Sequence, residues 1–316
     1  MTKTDTDSSP QDDAARAGWL YYVGGMTQDQ IAAELGVSRQ RAQRLVARAM
    51  ADGLIHVRLN HRIGACLDLE LALRDRFGLF RCRVSPSLGG TDPVLSVAPA
   101  AAAEFERVLR SPESLTIGLG TGRALRAMVD AVAPLEAPQH RLVSLIGNIA
   151  PDGSASFFDV IMRVSDKIRA PHYPMLVPVI SPTREERDAF RQLGPVQRVI
   201  DLASSADVVF VGVGQMSDDA PLLADGFVTR SELDQMRAAG AAGEVAGWVF
   251  DSDGHYLDVG TNTRTGGVRV EPNLDRPAIG IAAGASKVIA IRGALNARII
   301  NGLITDESTA RSLLAR

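Results

Sequence analysis

The hydrophobic positions in the N-terminal part of the chain recur at the spacing of short helices. Residues 14–25 are mostly apolar and end on two glycines, which predicts a first helix. Thr27 stands where an N-cap belongs, with Gln30 as its capping-box partner, and the helix that it opens ends at Gly36. Ser38 caps a third helix. Its apolar face follows the i, i+3, i+4, i+7 spacing at Ala42, Leu45, Val46 and Ala49.

The pattern changes after the third helix. Residues 54–59 favour a strand that would form a wing, and residues 63–77 favour a leucine-rich helix. From about residue 80, short apolar runs alternate with amphipathic stretches. The predicted strands are 115–119, 142–146, 176–180, 208–213, 245–250, 278–282 and 288–291. The predicted helices between them include 123–133, 158–169 and 292–301. This alternation predicts a Rossmann-like α/β domain, a mostly parallel sheet covered on both faces.

The arginines are unevenly distributed along the chain. The whole chain has a formal net charge of −3, whereas residues 14–58 hold six arginines against three acidic residues. Residues 1–13 are polar and acidic, which is typical of a disordered tail. We therefore predict three segments: a tail over 1–13, a winged helix-turn-helix over 14–59, and a larger α/β domain over 60–316.

The second and third helices have the chemistry of a DNA-binding motif. Two short helices joined by a tight turn, the second rich in Arg and Gln, are typical of a helix-turn-helix. An arginine fork matches guanine, a glutamine amide matches adenine, and helix N-termini hold phosphates. The predicted contacts with double-stranded operator DNA are Thr27, Ser38, Arg39, Gln40, Arg41, Gln43, Arg44 and Arg48. The alternative is a helical hairpin whose basic face is merely solvated.

Composition and motif spacing exclude several classes of protein. Hydrophobic residues make up 46% and charged residues 22% of the chain, as in globular proteins, and no apolar run is long enough to cross a membrane. The N-terminus does not have the pattern of a signal peptide, and Cys66 and Cys82 cannot frame a secreted disulfide scaffold. We therefore predict a cytoplasmic protein with no membrane partner. The five histidines lack metal-ligand spacing, and we predict neither a metal nor a cofactor.

Glycine turns follow several of the predicted strands. Residues 118–122 form a Gly-Leu-Gly-Thr-Gly loop, whose backbone N–H groups can hold a phosphate or a hydroxyl-rich ligand. Arg123 stands where a dinucleotide fingerprint has its third glycine, which argues against NAD. Gly147, Asn148 and residues 211–214 follow two further strands. Because ligands bind at the carboxyl ends of the strands in open α/β sheets, these turns predict one site. A plain tight turn is the alternative for the 118–122 loop.

Three charged residues are further candidates. Lys287 is one of only three lysines among 34 basic residues, which favours a contact that needs a compact ammonium group. An ordinary lysine at the start of the 288–291 strand is the alternative. Asp251 ends a strand and Asp159 begins a helix, where carboxylates can accept sugar hydroxyls. Either can instead form a turn or a helix cap, and capping is favoured for Asp159.

An ordered set of motifs carries a family resemblance. The N-terminal motifs are WLYYVGGMTQ at 19–28 and IAAELGVSR at 31–39. The central motifs are GLGTG at 118–122, LIGN at 145–148, Phe158-Asp159 and YPMLVPV at 173–179. The C-terminal motifs are GASK at 284–287, AIRGAL at 290–295 and LITDE at 303–307. Over about residues 14–316, the chain resembles the SorC family of bacterial sugar-responsive transcription regulators.

The resemblance implies a fold, a ligand class and a set of residues. The fold is a winged helix-turn-helix followed, over residues 60–316, by a Rossmann-like effector-binding and oligomerisation domain similar to ribose-5-phosphate isomerase and glucosamine-6-phosphate deaminase. The effector is a small sugar, polyol or sugar phosphate, and the assembly is a homotetramer. The effector-binding residues carried over by motif are Gly118, Gly120, Thr121, Gly122, Gly147, Asn148, Phe157, Asp159, Asp251 and Lys287.

These observations predict a transcriptional regulator rather than an enzyme. It would control a carbohydrate or polyol catabolic operon, and its effector would change its operator affinity. Relatives that bind glycolytic phosphates carry Thr-Thr and an Arg where this chain has Thr121-Gly122 and Ile146, which weakens the case for a diphosphate. The N-terminal motif looks most like the sugar-alcohol branch. The alternative is a sugar-phosphate isomerase or deaminase with a DNA-binding appendage, for which Asp251 and Asp159 are the candidate bases.

Overall fold

The chain divides into two units, Met1–His61 and Arg62–Arg316. The computed structural model describes residues 9–55, 62–88, 92–155 and 160–315. Each unit has hydrophobic core clusters of its own. The division falls after the predicted helix-turn-helix and before the leucine-rich helix.

Three helices form the described part of the N-terminal unit: α1 (Pro10–Tyr22), α2 (Gln28–Leu35) and α3 (Arg39–Ala51). Thr27 and Ser38 are the N-caps of α2 and α3, and Gly36 ends α2 in the left-handed conformation. The buried core of this unit is small and consists of Ala17, Ile31, Ala32, Ala42 and Val46. The predicted helix-turn-helix is therefore confirmed, with α3 as its second helix.

The first helix begins earlier than the sequence pattern predicts. The predicted tail extends to residue 13, but α1 begins at Pro10 because Ser9 and Asp12 form a capping box and proline favours the first helical turn. The predicted wing strand at 54–59 falls mainly on residues 56–59, which lie outside the described residues. Leu54 and Ile55 are described and are not in a strand.

A parallel sheet forms the centre of the second unit. The strands of this unit are β1 (Arg81–Ser85), β2 (Thr116–Leu119), β3 (Arg141–Ile149), β4 (His172–Pro178), β5 (Val208–Gly212), β6 (Gly214–Gln215), β7 (Gly243–Val245), β8 (Trp248–Phe250), β9 (Ala278–Ile281) and β10 (Gly302–Asp306). Within the described residues, seven strands pair in parallel in the order β1-β10-β9-β5-β2-β3-β4. Strands β6, β7 and β8 form a small antiparallel sheet.

Helices cover both faces of the parallel sheet. The described helices of this unit are α4 (Arg62–Phe77), α5 (Pro93–Leu109), α6 (Arg123–Ala131), α7 (Ile161–Ile168), α8 (Arg184–Gln192), α9 (Gly194–Ser204), α10 (Pro221–Ala224), α11 (Arg230–Ala238), α12 (Gly260–Arg264), α13 (Val288–Asn296) and α14 (Glu307–Leu314). Of these, α10 and α11 pack in a separate cluster beside the small antiparallel sheet. Side chains alternate along β5: Val208 and Phe210 pack into one core, Val209 and Val211 into the other. The prediction of a mainly parallel α/β domain is confirmed.

Two predicted strands were wrong. Residues 288–291 begin helix α13, because a short apolar run does not distinguish a buried helix from a strand. The predicted 245–250 strand is the β7–β8 hairpin, which turns at Ala246 and Gly247, both with positive φ. The predicted 176–180 strand lies earlier, at His172–Pro178, and β1 and β10 were not predicted.

Within the described residues, no helix is both long enough and apolar enough to cross a membrane. Both cysteines, Cys66 and Cys82, are buried and form no disulfide. Burial and the nearby Glu70 carboxylate raise the pKa of the Cys82 thiol to about 12, so this thiol stays protonated at neutral pH.

Candidate functional site

Helix α3 presents the predicted DNA-contacting side chains to solvent. The exposed residues are Arg39, Gln40, Arg41, Gln43, Arg44 and Arg48, while Ala42, Val46 and Ala49 are buried. Three of the four arginines have acidic neighbours: Arg39 lies 3.4 Å from Asp29, Arg41 lies 3.8 Å from Asp13, and Arg48 lies 3.0 Å from Asp52. Arg44 has no ion pair within the described part of the chain.

A cavity of about 460 Å³, whose wall contains both polar and apolar side chains, lies at the carboxyl ends of β2, β5 and β9. The turns that follow these three strands form its walls, together with residues 92–94 and the β7–β8 hairpin. Its volume is in the range typical of small-molecule sites, and its position is where open α/β sheets bind ligands. The glycine turns at 118–122 and 211–214 therefore meet as predicted.

Backbone groups contribute much of the cavity wall. Gly122, with a φ of 111°, is the N-cap of α6 and leaves the first turn of that helix without a side-chain cap. Gly284, with a φ of 122°, is the N-cap of the 3-10 turn Ala285–Lys287, which also has no side-chain cap. A helix start without a side-chain cap favours ligand oxygens nearby, because backbone N–H groups point out of the first turn.

Two cations and four carboxylates line the cavity within the described residues: Arg123, Lys287, Asp92, Asp219, Asp225 and Glu244. The Arg123 guanidinium lies 2.8 Å from the Asp225 carboxylate. The Lys287 ammonium donates a 2.6 Å hydrogen bond to the Val213 carbonyl. Burial lowers the pKa of Lys287, and burial raises the pKa of Asp225 although Arg123 opposes that shift.

Glu244 and Gln215 are cavity residues that the sequence analysis missed. One carboxylate oxygen of Glu244 accepts a 2.8 Å hydrogen bond from the Gly247 N–H, and burial raises the pKa of the acid. The Gln215 side-chain oxygen is buried and has no hydrogen-bond partner in the described part of the chain. A buried acceptor without a donor is costly, so a ligand hydroxyl here would be stabilising. The sequence signal that could have identified Glu244 is an acidic residue at the second position of the short strand β7.

The structure brings together some of the predicted effector-binding residues. Gly120, Thr121, Gly122 and Lys287 line the cavity. Gly118, Gly147, Asn148 and Asp251 are not among its lining residues. Phe157 and Asp159 lie outside the described residues.

Local geometry gives two of these residues other roles. Asp251 accepts 2.9 Å hydrogen bonds from the backbone N–H groups of Asp253 and His255, which stabilise the turn after β8. A Cβ at Gly118 would lie 2.8 Å from Val209, so this glycine allows β2 to pack closely.

Gly147 is a packing position at which a methyl group should be strongly destabilising. A Cβ there would lie 2.5 Å from the Val177 and Pro178 carbonyl oxygens of β4, and backbone cannot move aside easily. We expect Gly147→Ala to lower the free energy of unfolding by roughly 1–3 kcal/mol in urea denaturation, as overpacking does. Gly194→Ala is the matched control, because its Cβ would meet only the Arg198 guanidinium at 3.7 Å. Equal stability of both variants would contradict this close approach of β3 and β4.

A helix-turn-helix unit on the same chain as an α/β unit with a ligand cavity defines a ligand-responsive DNA-binding regulator. Residues 61–315 match the family described as "Putative sugar-binding domain", and residues 17–62 match the MarR family. The chain belongs to the SorC family of sugar-binding transcriptional regulators. It is therefore a transcriptional regulator and not an enzyme, and the isomerase or deaminase alternative is not favoured.

Individual relatives agree with this assignment. The chain is 36% identical to the erythritol catabolism regulatory protein EryD of Brucella abortus, over 96% of each chain. It is 31% identical to the transcriptional regulator LsrR of an Enterobacter species, over 95% of this chain and 92% of the relative. The full-length sorbitol operon regulator SorC of Klebsiella pneumoniae matches with a TM-score of 0.71 and 28% identity, over 98% of this chain and 100% of that one.

Proposed function

We propose that the protein controls a polyol catabolic operon and that an uncharged polyol bound in the α/β cavity changes its affinity for operator DNA. The charge of the cavity carries this proposal. By formal charge, four carboxylates stand against two cations among the described lining residues, a balance that does not favour a phosphorylated sugar. A polyol brings hydroxyl groups that donate to carboxylates and accept from an ammonium group without adding charge.

Three lining residues have matching roles in this proposal. Glu244 and the unpartnered oxygen of Gln215 accept hydrogen bonds from polyol hydroxyls, and Lys287 donates to a polyol oxygen. Ile146 lines the same cavity at the position where relatives that bind glycolytic phosphates carry an arginine. Because an isoleucine cannot pair with a phosphate as an arginine can, this position favours a ligand that lacks a second phosphate group.

The relatives narrow the ligand class further. EryD, at 36% identity over nearly the whole chain, is named for erythritol catabolism, and the SorC structure is that of a sorbitol operon regulator. We propose a linear polyol of four to six carbons. The DNA contacts made by α3, the homotetrameric assembly and the division into a DNA-binding unit and an effector unit belong to the same proposal.

A thermal-shift panel of neutral polyols, neutral sugars and their phosphates tests the ligand class. A polyol at about 100 times its dissociation constant should add roughly 2.7 kcal/mol of stability, and its phosphate should add little. Glu244→Gln keeps an acceptor for Gly247 but removes the charge, and it should lose most of this stabilisation. Glu113→Gln, which is exposed and outside the cavity, should respond like the wild type. Stabilisation by phosphates alone would show that the proposed ligand class is wrong.

A further inference from the structure

A second concave surface of the α/β unit lies between α8 and the β7–β8 hairpin. It consists of two adjoining cavities of about 350 Å³ and 390 Å³ that share Trp248 and Arg269. We call this surface the arginine groove, because its cationic residues are Arg184, Arg187, Arg191, Arg269 and Arg276. None of them lines the effector cavity, so the two sites are separate.

The charge of the arginine groove is opposite to that of the effector cavity. Five arginines stand against two acidic lining residues, Asp258 and Glu271, and against Asp188, which lies beside Arg184 and Arg187, on a chain whose net charge is −3. The cations crowd one another: burial lowers the pKa of Arg191, and the neighbouring Arg187 lowers it further. Such a cluster attracts an anion, because a bound negative charge relieves this repulsion.

Several donors of the groove have unused capacity. Arg187 is only 17% exposed and uses its Nε for the Thr263 carbonyl and for Asp188. Its two terminal nitrogens have no partner within the described ranges. The Arg184 Nε lies 3.7 Å from an oxygen of the Asp188 carboxylate, and the Arg184 side chain is exposed. Two neighbouring guanidinium groups with free N–H donors form a geometry that suits the oxygens of a phosphate.

Trp248 adds a donor that also lacks an acceptor. Its indole Nε1 is buried without a hydrogen-bond partner in the described part of the chain. The Arg269 guanidinium pairs with the Glu271 carboxylate through its Nε at 2.9 Å and one terminal nitrogen at 3.0 Å, and it lies 5.8 Å from the Trp248 ring and 5.1 Å from the Tyr256 ring. These contacts hold it at the point where the two cavities meet, and its other terminal nitrogen can donate to a ligand. Arg184, Arg187, Arg269 and the indole N–H are all donors only, so the groove fits a ligand made of acceptors.

We propose that the arginine groove binds a small polyanionic oxyanion, such as a pyrophosphate or a phosphorylated metabolite, at a site distinct from the effector cavity. The proposal goes beyond the polyol response, because it assigns a second ligand of opposite chemistry to the same unit. The ligand would lie against Trp248, with its oxygens facing Arg184, Arg187 and Arg269.

Tryptophan fluorescence of the full-length protein tests this site directly. The chain has two tryptophans, and Trp19→Phe leaves Trp248 as the only one. Titration with inorganic pyrophosphate at constant ionic strength should give a saturable emission change with half-saturation below about 1 mM. Arg184→Gln and Arg269→Gln, each in the Trp19→Phe background, should weaken binding at least about tenfold, as loss of a charge-assisted contact does. Arg198→Gln removes the same charge from an exposed residue outside the groove and should leave the titration unchanged.

Three results would overturn the proposal. The first is the absence of a saturable change while circular dichroism shows a folded protein. The second is a response that survives Arg184→Gln and Arg269→Gln but disappears in Lys287→Met, which would place the anion in the effector cavity. The third is a response to duplex DNA of unrelated sequence but not to pyrophosphate, which would make the groove a DNA-backbone contact. A polyol response that fails while the pyrophosphate titration succeeds would affect only the proposed function.

Discussion

Arg44→Ala is expected to lower the affinity for operator DNA by about 5- to 150-fold, because a good side-chain contact with a base edge contributes about 1–3 kcal/mol. Arg44 is exposed on α3, the second helix of the helix-turn-helix. It is also the α3 arginine without an ion pair among the described residues, so its guanidinium is available to DNA without breaking an internal contact. Gel-shift titration against an operator selected from random duplexes measures the effect.

Arg48→Ala separates base recognition from simple charge loss. Both variants lose one positive charge, but Arg48 is paired with Asp52 at 3.0 Å near the end of α3. Arg48→Ala should therefore weaken binding to operator and unrelated DNA by similar factors, whereas Arg44→Ala should reduce the preference for the operator. If Arg44→Ala keeps the wild-type preference, α3 does not read bases through this residue.

Lys287→Met is expected to abolish the effect of the polyol on DNA binding while operator affinity without ligand stays close to that of the wild type. The Lys287 side chain is half-buried in the wall of the effector cavity, and its ammonium group donates to the Val213 carbonyl. Methionine keeps much of the volume and removes the charge and the donor. A ligand shifts a conformational equilibrium only through contacts that differ between the two states, so loss of this contact should remove the response. Gel shifts with and without polyol, together with the thermal-shift midpoint, measure it.

The chain provides a matched control for this substitution. Lys167 donates to the carbonyl oxygens of Val129, Asp130 and Val132 and so caps the end of α6 away from the cavity. Lys167→Met should reduce stability, because it leaves three carbonyl groups without this donor, but it should keep the polyol response. Lys287→Arg, which keeps the charge in a larger group, should also impair the response. An unchanged polyol dose dependence in Lys287→Met would make Lys287 a structural lysine.

The candidate site was predictable in part. Gly120, Thr121, Gly122 and Lys287 were found from the sequence because a glycine turn after a strand and a rare lysine are local signals, and all four line the cavity. Glu244 and Gln215 were missed because an acidic residue or an amide beside a short strand is common on protein surfaces. Only the packing of the β7–β8 hairpin beside the turn after β5 makes them part of a buried polar wall.

The sequence by itself determined the helix-turn-helix and the α/β class, because caps, glycine stops and hydrophobic periodicity are properties of neighbouring residues. Ser38, Ala42 and Val46 are enough to predict α3 and its buried face. The tertiary structure decided what depends on residues far apart in the chain. It made residues 288–291 the start of a helix and gave Gly147 a packing role against β4. It also directed the Asp251 carboxylate to the backbone N–H groups of the turn after β8. It also brought together the arginines of α8 and the 266–276 segment, which are separated by about 80 residues in the sequence, because only the fold sets the distance between distant side chains.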